Sequence, residues 1–472
     1  MAEHTSDLVV RGTPFWFTAD PFLVDTPMAS VEDGAVWCRA GHIVAVGAWA
    51  ELRDRLPDSA TVQHYPGRLI SAGFVDGHTH YPQFDVVASL ADDLPGWLDR
   101  HAYPAEQRCG DPQYARAAAE SFCDELLRNG TTTALTFCTS AQDSVDALFA
   151  AAMKRNMRMV AGKVLMDRAG PASLLDTAER GYRESAALLR RWHGRGRNGY
   201  AITPRFAPGC TAAQLDAAGA LWREHPGALL HSHIAETEDE LAQVRELFPD
   251  RADYLDVYEH SGLTGPGAVF AHGVHLTEAE LLRCARSGTA LVHCPSSNLF
   301  LGGGLFDLYQ ATSRARPVTV GLGTDVAAGP TFSLLRGMRD ASHVARLRGH
   351  TLDGVRGFYL ATLGSATALG LADRIGSLAV GNEADLVVLD PAATPMLSRR
   401  TSRAQSLPDV LFALAVLGDD RTVEATYVAG ERRYCRADSM DTAGGVAVTH
   451  DHAPSRGCPG LRPDTGTGPV EQ

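Results

Sequence analysis

GFVDGHTHYPQ, residues 73–83, closes an apolar run (Leu69, Ile70, Ala72, Phe74, Val75) on two histidines one residue apart, His78 and His80. Alternate residues of a strand face the same way, so both imidazoles are expected to leave a strand end together. Two aligned imidazoles can chelate a divalent metal. A His-x-His pair also arises by chance among 18 histidines in 472 residues, so the surrounding chain has to decide its meaning.

Outward from this stretch, residues 66 to about 375 alternate short β-rich runs with longer helical patterns, the signature of repeated βα units on a parallel sheet. Eight strands are expected: Leu69 to Phe74, Thr132 to Phe137, Arg158 to Leu165, Tyr200 to Arg205, Ala228 to His233, Ala268 to His272, Ala290 to His293 and Val318 to Gly323. Eight in series predict an α/β fold, a (β/α)8 TIM-type barrel. Between strands, Asp111-Pro112 suits a helix start and Asn129-Gly130 a stop, with Ala115, Ala118, Ala119, Phe122 and Leu126 as the buried stripe. Thr237 with Glu240, and Thr277 with Glu280, have capping-box spacing. The fifth strand therefore ends at or before Glu236.

Short β-like runs at Leu8 to Val10, Ala35 to Cys38, Ile43 to Val46, Asp385 to Leu389 and Val423 to Val428 predict a small β-sandwich domain built from both chain ends. The expected division is 1–67 and 376–435 for that domain, 68–375 for the barrel, and 436–472 for a disordered tail without periodicity. The tail's own pair, His450 and His452, lacks a strand and reads as solvated. RWHGRGR, residues 191–197, precedes strand four at the barrel face away from the histidines and reads as a solvated turn.

The chain is long enough for a large domain plus a smaller one, and its 45% hydrophobic content suffices to fill them. A net charge of -13 argues against nucleic acid or an anionic membrane as partner and leaves a small molecule. Nine cysteines without a CxxC pair read as buried free thiols of a reducing compartment, and no basic leader precedes the first apolar run. A cytoplasmic protein is expected.

Functional groups of such a barrel cluster where its strands end. Strand one offers His78 and His80, strand five His233 and Glu236, strand six His272, strand eight Asp325. Six groups converging on one mouth suit zinc or iron(II). His231, two residues deeper than His233, reads as a hydrogen-bonded core histidine. Two-metal barrels of this type bridge their ions with a modified lysine from a middle strand. Lys163, the only lysine on an expected strand, is followed by Val164 and Leu165, which favours one metal.

With those residues in view, the chain resembles the guanine deaminases, a mononuclear-metal branch of the amidohydrolase superfamily. The resemblance rests on GFVDGHTHYPQ (73–83), GKVLMDR (162–168), RWHGRGR (191–197), ITPRFAP (202–208), HSHIAE (231–236), AHG (271–273), HCPSSNLFL (293–301) and GLGTDV (321–326). HYPQ with TPRF separates this branch from other deaminases. The sequence departs from the family pattern at Thr79, Ala235, Thr237 and His101-Ala102-Tyr103, none of which is an expected ligand. The resemblance implies hydrolysis of guanine to xanthine and ammonia in purine catabolism or salvage. It implies one divalent metal per chain, Zn2+ before Fe2+, on His78, His80, His233 and Asp325. Asp325 would take the proton of the attacking water and His272 would orient or polarise that water. Glu236 would carry a proton to purine N3 and on to the leaving ammonia. Gln83 and Arg205 would read the base, an amide offering donor and acceptor and a guanidinium a donor fork to the O6 and N7 side, with Phe206 as a stacking face. Trp97 and Tyr103 could close over it, and a homodimer is implied. The alternative is a related single-metal deaminase of 8-oxoguanine, a pterin or another amino-substituted ring.

Overall fold

The computed structural model describes residues 7–90 and 92–437. The tail expectation, with His450, His452 and Cys458, falls outside the described residues apart from its first two positions.

Eight parallel strands follow one another around a barrel: β1 (Phe74–His80), β2 (Thr131–Phe137), β3 (Arg158–Gly162), β4 (Gly199–Pro204), β5 (Leu229–Ile234), β6 (Ala268–His272), β7 (Ala290–His293) and β8 (Val320–Leu322). A two-residue strand, Val164–Leu165, continues beyond β3 and also pairs with β4. Regular pairing runs from β1 through to β8. The seam between these two is stitched just past β8, where Asp325 N–H donates to His78 O and His80 N–H donates to Val326 O, each at 2.8 Å. Val75, Leu135, Val160, Ala201, Val269 and Val292, from β1 to β4, β6 and β7, meet in one buried cluster that Leu369 and Ile375 complete. These branched side chains make the barrel interior a packed core rather than a channel.

The first expected strand is corrected by the structure. Leu69 to Ala72 ends a strand of the other sheet, Thr61–Ala72, and β1 starts after Gly73. A Cβ at Gly73 would lie 2.3 Å from Thr132 Oγ1, so only glycine lets the chain pass from one sheet to the other here. Both runs are apolar, and periodicity alone does not tell which sheet an apolar run joins.

The sheet at the chain ends has the order Glu431–Cys435, Val423–Val428, Leu386–Leu389, Thr61–Ala72, Asp7–Phe17, Gly34–Arg39, His42–Ala48, with Met28–Ser30 beside Asp7–Phe17. Thr61–Ala72 pairs parallel with Asp7–Phe17 and antiparallel with Leu386–Leu389, which joins the two ends of the chain. RWHGRGR is only partly the solvated turn expected of it. Arg197 is half-buried and donates to Glu383 and Asp385, because a guanidinium long enough to span the barrel floor meets two carboxylates there.

Helix boundaries follow the caps. Asp111 accepts from Gln113 N–H to open Pro112–Arg128. Thr277 and Glu280 form the full reciprocal box. Thr237 caps Glu238–Leu247, but Glu240 does not close the box: its carboxylate accepts instead from the Glu236 N–H at 2.8 Å and from the Tyr254 hydroxyl. The described cysteines are free, and all are buried except the half-buried Cys435.

Candidate functional site

The C-terminal ends of the barrel strands bring the chemistry together. His78 and His80 share one side of β1 at its end, and a register irregularity between Asp76 and Thr79 shapes the segment that carries them. Buried Asp76 fixes it by accepting from the His78 and Thr324 amides and the Thr324 hydroxyl, which ties β1 to the turn after β8. Past the ends of β5 and β8, and at the end of β6, Ala235, His272 and Asp325 have φ of 50°, 72° and 50°. These left-handed turns are uncommon for non-glycine residues and tend to cluster at functional sites.

His78, His80, His233 and Asp325 each offer one ligand atom, all lying within 4.8 Å of one another. His80 Nε2 lies 3.2 Å from His78 Nε2 and 3.3 Å from His233 Nε2, and Asp325 Oδ1 is 3.1 Å from His78 Nε2 and 3.3 Å from His80 Nε2. The outer nitrogens are already engaged. His233 Nδ1–H donates to Arg205 O at 2.6 Å, and His78 Nδ1 pairs with His231 Nε2 at 2.8 Å, the proton placed on His78 Nδ1 when its Nε2 serves as a ligand. In these tautomers the Nε2 lone pairs of His78 and His233 point into the same small space, an arrangement a cation relieves. Burial holds His78, His233 and His231 below the usual imidazole range and His80 at about 4, so the rings are neutral, as ligands must be. The donor set therefore fits a divalent ion bound by nitrogen and oxygen. His231 bonds His78 and lies outside that four-residue group.

Glu236 and His272 flank this group. His272 Nδ1–H donates to Asn298 Oδ1 at 2.9 Å, leaving a buried Nε2 that lies 3.5 Å from Glu236 Oε2 and 3.8 Å from Asp325 Oδ2. Burial first, then the charges of Asp325 and Glu240, push the Glu236 carboxyl well above its ordinary range. Asp325 goes the other way: burial would raise it, but His78, His80 and His272 hold it well below the usual carboxylate value. The two carboxyls are thus pushed in opposite directions, the difference that divides an acid from a base.

A cavity opens beside these groups, lined by His80, His233, Glu236 and Asp325, by Gln83, Arg205 and Phe206, and by Leu94, Trp97, Leu98 and Ala328. Arg205, at the end of β4, and Gln83, in the turn Tyr81–Val86, are both buried and both bonded to Glu106. Trp97 lines the cavity, whereas Tyr103 lies under the Arg205 guanidinium, 5.2 Å from it, and donates to Ala169 O. Lys163 is turned away, its ammonium bonded to Asp176 and Ser140 O. Gly302, Gly303 and Gly304 line a separate surface groove.

Sequence reasoning missed Glu106, Asp76, Asn298 and Glu240. Asn298 stands in the quoted HCPSSNLFL segment and Glu240 in a recognised capping pair, so each carried a faint signal. Glu106, on the short helix Tyr103–Arg108, carried none.

Residues 69–433 match the model of the amidohydrolase family. The chain is 46% identical over 437 residues to guanine deaminase of Escherichia coli K12, covering 92% of this chain and 99% of that one. The solved structure of the E. coli enzyme superposes with a TM-score of 0.87 over 92% of this chain and all of that one. Guanine deaminase from Bradyrhizobium japonicum gives 0.88 at 37% identity, over 91% of this chain and all of the other. The C. acetobutylicum enzyme, solved with guanine in its active site, gives 0.81 at 25% identity with the same coverage. Sequence and fold agree: the chain belongs to the amidohydrolase family, among its guanine deaminases.

Proposed function

We propose that this barrel hydrolyses guanine to xanthine and ammonia with one divalent metal ion, zinc before iron(II), held by His78, His80, His233 and Asp325. The observation that carries the reading is one cavity lined by His80, His233 and Asp325 of that set, by Glu236, and by the buried Gln83 and Arg205. A metal ion held there would lower the pKa of a water molecule to about 7 and so supply a nucleophile at neutral pH. The chain's residues do the rest. Asp325, the carboxylate of the cluster, takes the water's proton. His272, fixed by Asn298, directs Nε2 toward the attacking oxygen. Glu236, kept protonated by burial, delivers its proton to purine N3 as the oxygen–C2 bond forms. Glu236, now ionised, takes the remaining proton of the attacking oxygen and passes it to the amino group as the C2–N bond breaks and ammonia departs, and the proton held by Asp325 returns to Glu236 to restore the starting state. Gln83 and Arg205 bind the O6 and N7 edge, with Phe206 against the ring face.

The bound guanine of the C. acetobutylicum relative supports this substrate over 8-oxoguanine or a pterin. Among the described residues no helix is long and apolar enough to cross a membrane. On the resemblance, the enzyme acts as a cytoplasmic homodimer in purine catabolism or salvage. The test is ammonia and xanthine release from guanine, beside 8-oxoguanine, adenine, cytosine and a pterin, with metal counted per chain. Stoichiometric products from guanine with about one metal bound are expected. No turnover of guanine by metal-loaded protein would overturn the substrate.

A further inference from the structure

Glu106 reaches the site from outside the barrel strands, on the helix Tyr103–Arg108, and is only 2% exposed. Its Oε2 accepts from Arg205 Nη1 at 2.7 Å, while Oε1 accepts from Arg205 Nη2 at 2.9 Å and from Gln83 Nε2 at 2.8 Å. Both side chains assigned to the base are thus tied to one carboxylate. Arg205 keeps Nε–H and one further hydrogen on each Nη for other partners, and Gln83 Oε1 lies 3.5 Å from the Ala327 N–H. A bidentate pair also fixes the plane of the guanidinium, which the Tyr103 ring supports from one face.

The pair matters electrostatically as well. The other charged or titratable groups around the guanidinium and the cavity are Tyr103, Asp325, Glu236, His80 and His233. Those other than Tyr103 belong to the two His/carboxylate groups described above, so Glu106 is the carboxylate that bonds the Arg205 guanidinium directly and cancels its charge. In a desolvated site an uncancelled unit charge acts strongly on any ligand. Substrate and product differ in just this respect. Guanine is neutral at neutral pH, whereas xanthine, with a carbonyl in place of the amine, loses a ring proton near neutrality. A lone guanidinium would hold that anion.

We propose that Glu106 is a positioning and specificity-determining residue: it aligns Arg205 and Gln83 on the base edge and cancels the guanidinium charge, so that the pocket favours a neutral aminopurine over its anionic oxopurine product. This rests on the guanine reading above.

The experiment compares KM for guanine with Ki for xanthine in the metal-loaded full-length enzyme, below and above the pH at which xanthine ionises. In Glu106→Gln the ratio of KM to Ki should rise about tenfold relative to wild type above that pH, and little below it. Any titration of the metal site is common to both proteins and cancels in the comparison. The double variant Glu106→Gln/Arg205→Gln should return the ratio toward wild type. Glu106→Asp, which keeps the charge but shortens the arm, should raise KM for guanine without the pH-dependent change, and it serves if Glu106→Gln does not fold. An equal loss of both ligands in Glu106→Gln at both pH values, or a pH-dependent shift in Glu106→Asp, would overturn the proposal. Wild-type protein that does not turn over guanine sinks both this inference and the function; turnover with an unshifted ratio sinks only this one.

Discussion

At the scale of single residues, roles divide by what each atom already touches. Glu236 is three residues beyond His233 and outside the four-atom cluster, so Glu236→Gln should keep metal and guanine binding while kcat falls at least ~100-fold. Retention of most activity in that variant would remove Glu236 from proton transfer. His233→Ala should instead lose bound metal, measured by metal content after dialysis. Full occupancy in that variant would give the ligand place to another group, with His231 the nearest candidate because its ring already bonds His78. Most of these side chains could be read from strand ends in the sequence. Glu106 and Asp76 could not, since each acts by a contact with residues far away in the chain: Arg205 is 99 positions from Glu106, and Thr324 is 248 from Asp76.

Elements set how closely those residues can approach. Gly162 ends β3 against β4, and a Cβ there would fall 1.8 Å from the Ala201 carbonyl oxygen. A backbone atom cannot move aside as a flexible side chain can, so Gly162→Ala should destabilise by about 3 kcal/mol, seen as a lowered denaturation midpoint. Wild-type stability in that variant would mean that β3 and β4 can separate at little cost. The Glu240 carboxylate links the first turn of Glu238–Leu247 to the Glu236 amide and to the Tyr254 hydroxyl. Glu240→Ala should therefore loosen the turn that carries Glu236, lowering kcat about tenfold with metal content unchanged. An unaltered kcat would leave Glu240 a structural residue only. The capping pattern announced a helix start at Thr237, but the identity of the group that Glu240 caps required the fold.

Over the whole molecule, the barrel and the end sheet are tied by charge across the barrel floor. Arg158 and Arg197 both bond Glu383, and Arg197 Nε donates to Glu383 Oε2 at 2.9 Å. Burial would raise the Glu383 carboxyl, yet the two guanidiniums hold it below its ordinary value. A depressed folded-state value means that the stabilisation is present above the usual carboxylate range and is lost as pH falls through the depressed value. Arg197→Met should cost about 2 kcal/mol near neutral pH, with the gap from wild type narrowing in acid. Denaturant unfolding across pH checks this, and a gap independent of pH would remove Glu383 from the account.

The sequence by itself determined the βα repeat, the small β region at the chain ends, and the histidines and carboxylates carried at strand ends. Each of these is written in local periodicity or in a short motif, because strand alternation and helix capping act over a few residues. Tertiary structure alone decided that Leu69–Ala72 joins the end sheet, that Arg197 pairs with two carboxylates at the barrel floor, and that Glu106 meets Arg205 and Gln83. Those outcomes depend on which distant surface an apolar run or a long charged side chain meets, a choice made by packing and charge pairing across the closed barrel rather than by its neighbours in the chain.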